Sequence, residues 1–169
     1  MKKNVLIGCG TIFIIALIGV VAIGIWLFIG PESGVKYGNE MDSYALDYLE
    51  KNHILKPDEN LVAYYDTTIS MDGTEAAILT SKRVIYHKSS GNYEIDLTDI
   101  HDIRHQKKAL MGDVIEIQAI SGKLMKIEVA LLNGGESFLS ALMGVWEKAK
   151  SGKDQGKVEM PPEGANQKD

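Results

Sequence analysis

The apolar and polar positions divide the chain into three regimes. From Val5 to Ile29 there is no charged side chain, a run of 25 residues containing the isolated glycines Gly8, Gly10, Gly19 and Gly24. At about 1.5 Å of rise per residue, such a helix would cross the roughly 30 Å hydrocarbon core of a bilayer. Trp26 stands near the far end, where an interfacial aromatic belongs, and Pro31 closes the run. The pattern therefore predicts a transmembrane signal anchor over residues 1–30. After Pro31 the period changes twice. Tyr44, Ala45, Tyr48, Leu49 and Ile54 recur at helical spacing within Met41 to Leu55, and from Leu61 onward apolar runs are short and punctuated by turn residues.

Two other readings use the amino-terminal residues. A cleavable signal peptide needs an apolar core of about 7–15 residues and a small-residue cleavage site, and Val20-Val21-Ala22 fits poorly because apolar residues continue beyond it. Leu6-Ile7-Gly8-Cys9 resembles a bacterial lipobox, but four residues between Asn4 and Cys9 leave no room for the usual apolar core. A single-pass cell-membrane protein is the expectation. Lys2 and Lys3 precede the span while only Lys36 follows it among residues 31–50, which puts the amino terminus inside and the remaining chain outside.

Residues 31–57 read as a polar linker followed by the helix, with Asp42 or Ser43 as its cap and Pro57 as its stop. Seven strand-like stretches follow. They are Leu61 to Ile69, Ala76 to Thr80, Arg83 to His87, Tyr93 to Leu97, Ile100 to His105, Val114 to Ile120 and Leu124 to Ala130. Asp72-Gly73, Ser89 to Asn92 and Ser121-Gly122 supply turns, and a basic loop is expected after His105. Phe138, Leu139, Leu142, Val145, Trp146 and Ala149 then form one helical stripe, entered through Asn133 and Glu136 as a capping box. The stripe predicts a helix lying across an open barrel end. Residues 151–169 are too polar to fold and read as a disordered tail.

Composition narrows the chemistry. The 169 residues carry a net charge of −5 and one cysteine, which excludes a disulfide scaffold and argues against nucleic acid as a partner. Within residues 60–150 there are ten Lys or Arg against twelve Asp or Glu. No nucleophile motif, phosphate-binding glycine loop or paired acid and base is recognisable, so no catalytic residue and no cofactor is expected. His101 and His105 stand four apart, but only the turn residues Asp99 and Asp102 could complete a metal site, and none is expected. Arg83 reads as a structural partner for a carboxylate. Arg104, Lys107 and Lys108 beside Leu110 form a basic stretch with an apolar tip, a candidate contact for anionic lipid.

Three stretches carry a resemblance. Gly73 to His87 (GTEAAILTSKRVIYH) is similar to the leucine-threonine-x-x-arginine hairpin of bacterial pleckstrin-homology-like and GRAM-like domains. Glu94 to Arg104 resembles their next two strands, and Gly112 to Val129 their final hairpin. The resemblance covers residues 58–150. It implies a seven-stranded antiparallel β-barrel or sandwich capped by a carboxy-terminal amphipathic helix, and a habit of binding instead of a reaction. Lipid-binding members place basic residues in the first hairpin loop, whereas Thr67 to Glu75 holds Asp72 and Glu75 and no cation. The resulting expectation is an α+β protein with a membrane anchor whose PH-like domain recruits a protein partner. The partner would add beside a sheet edge or along the last helix, unless the 41–55 helix with Tyr44 and Tyr48 covers that groove. The alternative is a reader of anionic headgroups through residues 104–111.

Overall fold

The computed structural model describes residues 14–24, 34–109 and 111–155, and the chain divides into two units, residues 1–33 and 34–169. In the first unit residues 14–24 form a helix, α1. Its eleven described residues span about 16 Å, roughly half of a bilayer core. No helix among the described residues is long and apolar enough to cross a membrane. The expected single-pass anchor is corrected on this point, and with it the cell-membrane location and the inside-to-outside orientation. The rest of the expected span, residues 5–13 and 25–29, lies outside the described residues.

The second unit contains two antiparallel sheets. One has five strands in the order β1 (Lys36–Tyr37), β2 (Leu61–Asp66), β3 (Glu75–Thr80), β4 (Arg83–Lys88) and β5 (Gly91–Asp96). The other has three, β6 (Ile100–Lys108), β7 (Gly112–Ala119) and β8 (Leu124–Val129). Helix α2 (Ser43–Lys51) precedes β2, and α3 (Gly135–Gln155) follows β8. The expected seven-stranded barrel is contradicted, because the strands stay in separate sheets and do not close. An eighth strand comes from the presumed linker, where Lys36 and Tyr37 pair with Tyr64 and Ala63. At the other end α3 runs to Gln155, past the start of the expected tail.

The central strands of the five-stranded sheet are buried on both faces. On β3, Ala77 and Leu79 face the core shared with Ile115, Ile117, Met125 and Ile127 of the second sheet and with Phe138 and Leu142 of α3. Ala76 and Ile78 face the other way, joining Ile85 of β4 and Ala45 and Leu49 of α2 in a second apolar cluster. This explains why Ala76 to Leu79 shows no polar alternation: neither face meets water. Tyr48 of α2 fits against Gly73, where a Cβ would lie 2.8 Å from the tyrosine ring and φ is +77°, so only glycine suits this point of the β2–β3 loop.

Caps differ from expectation. The Asp42 carboxylate makes no capping hydrogen bond to α2. The α3 helix opens one residue later than a capping box on Asn133 requires, with Phe138 N–H donating to the Gly134 carbonyl. Asn133 instead donates to the Tyr65 hydroxyl at 3.5 Å, and Glu136 is drawn away to Lys107.

Arg83 pins the segment between α2 and β2 to the sheet. Its guanidinium, 2% exposed, donates from Nε to Glu59 Oε1 at 2.6 Å, from Nη2 to Glu59 Oε2 at 2.9 Å and to the Ile54 carbonyl at 3.0 Å. Its Nη1 also pairs with Glu94 on β5. Burial raises the pKa of Glu59, but the hydrogen bond from Arg83 and the backbone lower it further, leaving it below the ordinary 4.5. A lowered carboxyl contributes stability in full above the unfolded value and loses it as pH falls through the folded one. Replacing Arg83 by Leu is expected to cost about 3–5 kcal/mol, because Glu59 stays buried without its cation. Urea denaturation at pH 7 checks this, and the deficit should shrink as acid protonates Glu59 in the variant. Leu49→Ala, which empties part of the α2 contact, is expected to cost about 2–5 kcal/mol in the same assay.

Candidate functional site

Basic residues expected in a loop belong to a strand. β6 runs on through Lys108, and only the residues after it turn toward β7. The ladder accounts for the extension. Arg104 stands opposite Glu116 and Lys107 opposite Asp113, so opposite charges face each other across the two strands. Those charges are placed symmetrically about the turn in the sequence, a signal that strand periodicity alone does not detect. Gly112 closes the turn with φ +90°, its α-carbon so close to the Val129 carbonyl that a Cβ would sit 2.1 Å from it.

Alternation then separates the candidate residues. Asp102, Arg104, Gln106 and Lys108 lie on the outer face, away from the core, where Arg104 Nε donates to Asp102 Oδ2 at 2.9 Å. Ile103, His105 and Lys107 lie on the inner face. Ile103 packs on the main core, His105 Nε2 lies 2.7 Å from Asp113 Oδ1, and Lys107 Nζ donates to Glu136 Oε1 of α3 at 2.8 Å. Two of the three cations proposed for lipid contact, Arg104 and Lys107, are thus on opposite faces and each holds a carboxylate, while Lys108 shares the face of Arg104. Leu110 lies outside the described residues.

The open side of β6 is the main opportunity for recognition. β6 pairs with β7 and with no other strand among the described residues. Of its nine residues only Ile100 is buried. On its inner face Ile103 packs against the main core, beside His105 and Lys107, which Asp113 and Glu136 hold. Lys107 and Glu136 connect this strand to the first turn of α3. Helix α2 does not cover β6. Tyr44 and Tyr48 pack in the cluster on the opposite side of the five-stranded sheet.

Other features are structural or small. The first hairpin loop folds around the buried Asp66 carboxylate, which accepts from the backbone N–H groups of Thr68 and Gly73, both at 2.8 Å, and from the Thr68 hydroxyl at 2.5 Å. Asp72 organises the exposed tip, accepting from Ser70 and Thr74. His87 is held between Asn92 at 2.6 Å and the Tyr48 hydroxyl at 3.1 Å. A shallow, open depression with a cavity volume of about 20 Å³ lies on the outer face of the second sheet, between Asp102, Arg104, Glu116, Gln118 and Leu124. That volume is below the roughly 300 Å³ at which small-molecule sites begin. Among the described residues no group of three or more His, Cys, Asp or Glu side chains converges as a metal site. His101 lies at a bulge in the β6 register and His105 is engaged with Asp113. The sequence matches no protein-family model and no curated protein.

The hydroxyls of Thr74 and Ser70 hold Asp72 well below the ordinary carboxylate range, at about 2. Its carboxyl carbon, followed by NMR, is expected to titrate near that value. In a Ser70→Ala, Thr74→Ala protein the midpoint should move up toward the unperturbed value of about 3.9. An unchanged midpoint would show that the hydroxyls do not hold the loop.

Proposed function

We propose that residues 34–155 form a non-enzymatic, PH-like binding module that recruits a protein partner by accepting an extended segment beside β6. The observation that carries the reading is the nine-residue β6, paired on one side only among the described residues and with Ile100 its one buried residue. Such an edge offers a row of backbone donors and acceptors to an incoming chain, while alternate side chains supply specificity. The order of the second unit supports the likeness to PH-like domains: a meander of β2 to β5, a second meander of β6 to β8, then α3 against the shared core. Contact with anionic headgroups through Arg104, Lys107 and Lys108 has less support, because a flat surface would have to meet cations that lie on opposite faces and are engaged by Asp102 and Glu136.

Site-specific photocrosslinking tests the reading. A photoreactive residue replacing exposed Gln106 of β6 is expected to give discrete protein adducts in cells, whereas one replacing exposed Leu46 of α2 gives none. Absence of adducts from Gln106, with retention of the protein on vesicles rich in anionic lipid, would overturn it in favour of the headgroup reading.

A further inference from the structure

We infer that β6 selects an acidic strand, one in which carboxylate side chains alternate with apolar ones. The inference rests on the reading of β6 as the docking edge and names the chemistry of the partner. A strand laid along β6 continues the sheet, so its side chains fall alternately on the outer and inner faces. On the outer face it meets Arg104, which Asp102, the only acid of the strand, engages at 2.9 Å, and Lys108, with the neutral Gln106 between them. On the inner face it meets Ile103, which packs against the main core, and then His105 and Lys107, which Asp113 and Glu136 already hold. Carboxylates facing Arg104 and Lys108 outside, and an apolar group facing Ile103 inside, therefore complement the two faces. β6 holds three Lys or Arg against one Asp in a chain whose net charge is −5, so the edge is a local exception to the charge of the whole.

The same cations act against the commonest wrong partner. An antiparallel pairing of β6 with β6 of a second copy, centred on Gln106, would set Arg104 of each copy against Lys108 of the other, and like charges facing across a ladder are destabilising. An acidic strand reverses the sign of that interaction. Selection by charge and exclusion of self-pairing thus come from the same residues.

The test uses the full chain and two synthetic peptides of about eight residues, a common strand length, one alternating Glu and Val and the other Lys and Val. Binding is read as affinity and as amide-exchange protection along β6. The Glu-Val peptide is expected to bind and protect β6, and the Lys-Val peptide to bind at least about tenfold more weakly. Arg104→Glu with Lys108→Glu should invert the preference, while the charge-matched control Lys88→Glu with Lys126→Glu should leave it unchanged. Equal binding of the two peptides, protection confined to another element, or no binding of either would overturn the inference. Crosslinking from Gln106 judges the docking edge separately, so a protein that crosslinks there yet ignores peptide charge would retain the edge and lose the acidic preference.

Discussion

The burial of Arg83 is the constraint on which the second unit depends. A guanidinium removed from water is tolerable only when carboxylates and carbonyls surround it, and Glu59, Glu94 and the Ile54 carbonyl do so. Those partners come from the segment before β2 and from β5. The ion cluster therefore fixes the connection leaving α2 against the β4–β5 pair of the five-stranded sheet. With that connection fixed, α2 lies over one face of the sheet while the second sheet and α3 occupy the other. Both faces of β3 are then sealed by apolar neighbours.

This arrangement determines what remains open. The central strands of the five-stranded sheet use both faces for packing, whereas the three-stranded sheet turns Arg104, Lys126 and Glu128 toward water. Because the sheets do not close into a barrel, β6 keeps an unpaired side. Its charged residues suit that position, since an edge carrying Lys and Arg resists pairing with its own kind. Openness and guarded chemistry at one strand are what a recruiting module requires, and the binding proposal follows from that pairing of properties.

Much of the fold was legible in the sequence. Alternation marked Tyr93 to Leu97 and Val114 to Ile120, helical spacing marked Tyr44 to Leu49 and Phe138 to Ala149, and Arg83 read as a partner for carboxylates. Local signals did less well where distant residues decide. Lys36 and Tyr37 form a strand only because Tyr64 and Ala63 are there to pair with them. Gln106 to Lys108 looked like a loop because Asp113, which faces Lys107 across the ladder, lies beyond the turn. The capping box on Asn133 was displaced by Tyr65 and Lys107, both far away in sequence. Hydropathy alone prompted the membrane span, whereas no described helix has the length it requires. The candidate site was half legible: its cations were visible, but their division between two faces depends on β-strand pleat.

The most direct measurement of the central claim is residue-resolved amide hydrogen exchange along Ile100 to Lys108 in the unliganded full chain. An open edge directs alternate amides to solvent and alternate amides to β7, so fast and slow exchange should alternate along the strand. Uniformly slow exchange would mean that the outer side of β6 is already covered, and the account of β6 as a free docking edge would fail.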